Sequence, residues 1–100
     1  MFRKYEICMV LDPELNQNGV EAETSGISEI MASNGAKVVR RELWGRRGFM
    51  YPIKKKNEGY YYLFYLEAEP ESVEKIQEQL KHRQTVLRTL VIARKEFPEG

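Results

Sequence analysis

Trp44-Gly45-Arg46-Arg47-Gly48-Phe49-Met50-Tyr51-Pro52-Ile53, followed by Lys54-Lys55-Lys56-Asn57-Glu58-Gly59 and then by Tyr60-Tyr61-Tyr62-Leu63-Phe64-Tyr65-Leu66-Glu67-Ala68, reads as a long hairpin. Aromatic and aliphatic residues of this kind suit a half-buried pleated surface, and the polar run closed by glycine between them supplies a turn. The first strand spans Ala36 to Ile53, with Gly45 and Gly48 as bulge or kink points because a glycine inside a strand offers no side chain to pack. Lys54 to Gly59 reads as the hairpin loop, and Tyr60 to Ala68 as the returning strand.

On the N-terminal side, Tyr5, Ile7, Met9 and Leu11 alternate with Lys4, Glu6, Cys8 and Val10, the period of a strand, which Asp12-Pro13 ends. Val20, Thr24, Ile27, Ile30 and Met31 then recur at helical spacing, with Asn16 as N-cap and Asn34-Gly35 as the stop. Gly19 and Gly26 weaken that helix by about 1 kcal/mol each relative to alanine, so packing must hold it. Beyond the hairpin, Pro70 opens a second helix whose stripe is Val73, Ile76 and Leu80. Its acids Glu71 and Glu74 stand near the positive end, and Lys81, His82 and Arg83 near the negative end. Val86 to Arg94 is a last strand.

The order is therefore β-α-β-β-α-β, an α+β ferredoxin-like arrangement with two helices on one face of a four-stranded antiparallel sheet. Residues 1–95 form the single domain and 96–100 a short C-terminal tail without pattern. The parity leaves Cys8, Val10, Tyr61, Leu63, Tyr65, Leu90 and Ile92 on the uncovered sheet face, too apolar for a freely solvated surface, which implies a protein partner or self-association.

One hundred residues suffice for one core. One cysteine forms no internal disulfide, which suits a reducing, cytoplasmic location. No apolar run approaches the roughly 20 residues of a bilayer span, and the opening residues lack a signal-peptide core, so a soluble, unprocessed protein without membrane attachment is expected. The net charge of +1 hides a strong segregation. Residues 12–34 hold five acids and no base; residues 36–56 hold eight bases and only Glu42. Residues 57–78 hold six acids against Lys75, and residues 81–95 five bases and no acid. Basic strands against acidic helices make an electrically two-sided molecule, with the positive charge expected away from the helices.

Catalytic chemistry finds no support in these residues. His82 reads as a cation at a helix end, Cys8 as a small strand residue, and Asp12, the only aspartate, as a turn former. No paired histidines or cysteines have metal-ligand spacing, and no glycine pattern between strand and helix suits a nucleotide phosphate. Cofactor, metal and small-molecule substrate are all expected to be absent. Arg47-Gly48-Phe49-Met50-Tyr51 has the look of an RNA-recognition signature, but Pro52 breaks it and it falls on the second strand, not the third. Guanidinium groups interleaved with Trp44 and Tyr51, followed by a lysine run, are instead what a surface for phosphates and stacked bases requires. The residues by themselves lead to an RNA-binding or protein-binding α/β module.

Trp44-Gly45-Arg46-Arg47, two residues, Tyr51-Pro52-Ile53, then Lys54-Lys55 and Gly59-Tyr60-Tyr61 resembles the hallmark of the bacterial ribosomal protein S6 family, the sixth protein of the small subunit. The resemblance runs from Arg3-Lys4-Tyr5-Glu6 through Asn34-Gly35-Ala36-Lys37-Val38 to Val86-Leu87-Arg88-Thr89-Leu90-Val91. It departs at Phe49-Met50, where the family has Leu-Ala, and at Gln84-Thr85, where the family has Asn-Asp. Membership implies a ferredoxin-like, non-enzymatic component of the small ribosomal subunit that binds small-subunit (16S) ribosomal RNA together with the small basic ribosomal protein S18.

On that reading, the RNA-binding candidates are Arg3, Lys4, Arg46, Arg47, Lys54, Lys55, Lys56, Arg88 and Arg94. The partner-binding candidates are Trp44, Phe49, Tyr51, Pro52, Tyr61 and Leu63. The alternative is a ferredoxin-like regulatory or ligand-binding domain that dimerises through its sheet.

Overall fold

The alternation along residues 4–11 sets the architecture. In the computed structural model, which describes residues 1–98, the order is β1 (Arg3–Leu11), α1 (Gln17–Ser33), β2 (Lys37–Ile53), β3 (Lys56–Ala68), α2 (Pro70–Lys81) and β4 (Val86–Arg94). Glu99 and Gly100, the end of the expected tail, lie outside the described residues. The strands form one antiparallel sheet in the order β2-β3-β1-β4, as the ferredoxin-like reading requires.

Register fixes which side chains share a face. Ile7, Met9 and Leu11 stand opposite Phe64, Tyr62 and Tyr60, and with Leu66 they meet Val20, Ile27 and Met31 of α1 and Val73, Ile76 and Leu80 of α2. Ile7, Met9, Leu11, Phe64 and Leu66 are wholly buried. The other parity puts Glu6, Cys8 and Val10 beside Tyr65, Leu63 and Tyr61 on one side and Ile92, Leu90 and Arg88 on the other, the open face as expected.

Each helix starts where the sequence signals it. Asn16 Oδ1 accepts from Gly19 N–H at 2.7 Å, satisfying one of the donors left free at a helix start, and Pro70 occupies the first turn of α2. Gly26, costly in isolation, lets Arg83 lie across α1: a Cβ there would stand 3.2 Å from Arg83 Nη2. Arg83 thereby pairs with Glu23 and ties the end of α2 to α1.

The hairpin differs from the expected six-residue loop. β3 already begins at Lys56, and only Lys54 and Lys55 turn the chain, both with positive φ (49° and 67°). That is the backbone of a two-residue hairpin whose twist matches its strands, and ladder pairing keeps Lys56 to Gly59 in the strand. Gly45 and Gly48 do mark irregularities. Trp44 is an extra residue between Leu43 and Gly45, whose φ of 98° glycine adopts without penalty, and Phe49 to Pro52 bulge out opposite Asn57.

Candidate nucleic-acid interface

Each bulge in β2 changes which residues reach the open face, and this sorts the basic side chains. After the Trp44 bulge, Arg46 stands opposite Tyr60 and so points to the helix side, while Arg47 stands opposite Gly59 and points to the open face. Arg46 is fully engaged there. Its Nε lies 2.6 Å from Glu58 Oε1, its Nη2 donates to the Pro13 carbonyl, and its guanidinium sits 5.3 Å from the Tyr60 ring centroid. Lys56 also turns to the acidic β1–α1 loop, 2.9 Å from Glu14 and 3.9 Å from Asp12, and the Glu14 bond raises its pKa further. The positive charge is thus not wholly drawn away from the helices: Arg46, Lys56 and Arg83 neutralise acids on that side.

The remaining candidates form two groups at opposite ends of the open face. At one end Lys4 and Arg94 of the open face share a cleft of about 450 Å³ with Glu67, Lys95 and Arg3, the last at the strand end opposite the core residue Ala68. At the other, Arg88 lines a hollow of about 300 Å³ with Cys8, Val10, Ile53, Tyr61 and Leu90, and Arg47, Lys54 and Lys55 extend the charge along the hairpin. Lys4 and Val10, at the two ends, are six residues apart on one strand, about 20 Å. Among the described residues, Arg3, Arg47, Lys54, Lys55 and Arg88 form no ion pair, which leaves their charge available.

Between the two ends the face is largely aromatic and apolar, with Glu6, Arg40 and Glu42 set among the rings. The rings of Phe49 and Tyr61 meet with centroids 6.2 Å apart. Gly59 makes room for this, since a Cβ there would stand 2.7 Å from both the Leu11 carbonyl and Val10 Cγ1 and 3.0 Å from Phe49 Cζ. Trp44 is half exposed, and its Nε1–H donates to Glu42 at 3.2 Å. Leu63, by contrast, is only 3 % exposed and offers little contact surface. Tyr51 and Pro52 sit in the bulge near the hairpin tip; Tyr51 is 76 % exposed, so its ring does not fill the core, and Met50 beside it is 92 % exposed.

Two features of this face escape a reading of the sequence. Glu6 is buried in the middle of it, with Oε2 3.3 Å from Arg94. Arg40 stacks on Tyr65, 4.4 Å from the ring centroid, with its Nε 3.0 Å from Glu42 Oε1 but without the alignment of a hydrogen bond. The Val39 bulge puts Arg40 on the open face, and no sequence period announces that bulge. Burial, with a smaller contribution from Glu6, raises the Cys8 thiol, which makes it a poor nucleophile. No group of side chains suited to a metal ion occurs among the described residues, and no helix there is long and apolar enough to cross a membrane.

Helices on one face, and on the other an aromatic strip flanked by unpaired cations, define a ferredoxin-like binding module. Comparison with known proteins narrows the class. The family described as Ribosomal protein S6 matches residues 4–93. The chain is 38 % identical to the small ribosomal subunit protein bS6 of Streptomyces coelicolor, over 90 % of this chain and 94 % of that one. It is 37 % identical to the bS6 of Saccharopolyspora erythraea over 92 % and 78 %. The fold matches a crystal structure of 30S ribosomal protein S6 from Thermotoga maritima with a TM-score of 0.87 at 23 % identity, covering 94 % of this chain and 89 % of that one. The chain belongs to the ribosomal protein S6 family, whose members are structural components of the small ribosomal subunit in the bacterial cytoplasm, not enzymes.

Proposed function

We propose that this protein binds small-subunit (16S) ribosomal RNA jointly with the small basic ribosomal protein S18. The observation that carries this reading is the division of the open side into a largely aromatic strip and two groups of cations of which, among the described residues, only Arg94 is paired with an acid, Glu6. An apolar strip is worth covering with protein, and unpaired guanidinium and ammonium groups are worth placing on phosphates. Arg47, Lys54, Lys55 and Arg88 are the RNA-facing set at the hairpin end, and Arg3 and Lys4 at the other. Trp44, Phe49, Tyr61 and the exposed Tyr51-Pro52 edge form the protein-facing set. Arg46 and Lys56 support the hairpin from behind.

With a net charge of +1, the chain attracts RNA weakly by itself. Its affinity should rise steeply when the basic partner is present, and by linkage the partner should gain the same factor. Titrating a fluorescent fragment of the RNA's central domain with either protein alone and with both checks this. Cooperative binding that weakens with salt is expected; tight, salt-insensitive binding by this chain alone, or no binding with the partner present, would overturn the reading.

A further inference from the structure

Beyond β4 the chain folds back over the open face. The Phe97 ring meets Tyr65 edge-on, centroids 5.7 Å apart, and Lys4 Nζ lies 5.6 Å from the Phe97 centroid. Arg40 Nη2 donates to the Pro98 carbonyl at 2.8 Å. Tyr65 is consequently only 3 % exposed although no helix covers it. Pro98 also walls a cavity of about 360 Å³ together with Glu6, Glu42, Trp44 and Leu63.

We propose that residues 95–98 are an autoinhibitory strap that closes the middle of the open face and must lift before a partner protein covers it. The proposal rests on the reading that a small basic protein docks on this face. Two carboxylates, Glu6 and Glu42, lie in the cavity beside Pro98, each paired with an arginine that also lines it, Arg94 and Arg40, and a basic segment placed there would compete with those arginines for them. Such a segment could reach the Tyr65 ring only by taking the place of Phe97, so it and the strap cannot cover the middle of the face together. The strap is held by one edge-on ring contact, one half-buried cation–π contact and one exposed hydrogen bond, each weak enough to break and re-form readily. A partner that binds only the open form sees its affinity reduced by the open fraction, so loosening the strap raises the apparent affinity without any new contact.

The test uses the full chain, its Phe97→Ala variant and the small basic partner, with calorimetric affinities and nuclear Overhauser contacts between the Phe97 and Tyr65 rings. Those ring contacts should be present in the free chain and vanish in the complex. Phe97→Ala should bind the partner roughly three- to tenfold more tightly, the range one aromatic pair allows, with a rise of about the same factor in its unfolding constant, because the closed form it weakens is part of the folded state. Ring contacts that persist in the complex, ring contacts missing from the free chain, or a variant that binds equally or more weakly would overturn the strap while leaving partner binding intact. Failure of both chains to bind the partner, with the ring contacts present in the free chain, would instead remove the functional reading, and the strap's role with it.

Discussion

The two faces of the sheet are built from alternate residues of the same strands, yet they exclude water by different means. On the helix side, Ile7, Met9, Leu11, Phe64 and Leu66 lie under two helices, with burial spread over the whole width of β1 and β3. On the open side, Val10, Leu63 and Tyr65 are nearly as inaccessible without any helix, because long neighbours and the chain's own tail lean over them, while Leu90 at the margin stays 58 % exposed. A face shielded by helices is committed to the core. One shielded by side chains and a strap can be uncovered, and that is what an interaction surface needs.

Truncating one residue on each face should break the symmetry most strongly. Phe64→Ala opens a cavity in the covered layer and should cost about 3–5 kcal/mol, whereas Leu90→Ala should stay within about 0.5 kcal/mol. Urea denaturation of both variants measures the difference. Comparable losses would mean that the open face is a second core.

The ion pairs sharpen the contrast next. Glu23 is held below its ordinary value of 4.5, chiefly by its hydrogen bond from Arg83 and secondarily by Thr85, against a burial effect of the opposite sign. A carboxylate depressed in the folded state stabilises fully above its unfolded pKa, and that stability is lost as pH falls through the folded value. Stability should therefore decline below about pH 4.5, and Arg83→Ala should flatten this part of the decline. At neutral pH the same variant should cost about 1.5 kcal/mol, the low end for a bond to a charged group because a third of Arg83 is exposed. Thermal unfolding against pH checks both outcomes.

Adjacent arginines give the finest comparison. Arg46→Ala removes an ion pair, a carbonyl contact and a ring contact on the helix side and should cost about 1 kcal/mol of stability. Arg47→Ala should leave stability unchanged but weaken RNA binding and reduce the slope of log affinity against log salt by about 1. Equal salt slopes in the two variants would place both residues on the same side of the interface.

Much of this was legible in the order of residues. The strict alternation in β1, the spacing of Val20, Thr24, Ile27 and Met31, the cap at Asn16, Pro70 and the paired runs on either side of the lysines determined the element order and the composition of both faces, because these periods are properties of short, local backbone geometry. Glycines at 45 and 48 marked irregular places in β2, though not which side of the sheet each neighbour would take. One inserted residue at Trp44 reverses the parity of everything after it, and whether a strand absorbs an extra residue is decided by pairing with β3. Only tertiary structure therefore separates Arg46 from Arg47, shortens the turn to Lys54-Lys55, draws Lys56 to Glu14 and brings Phe97 to Tyr65. Each depends on charges or rings far apart in the chain, and their meeting is set by the folded sheet and not by any period in the sequence.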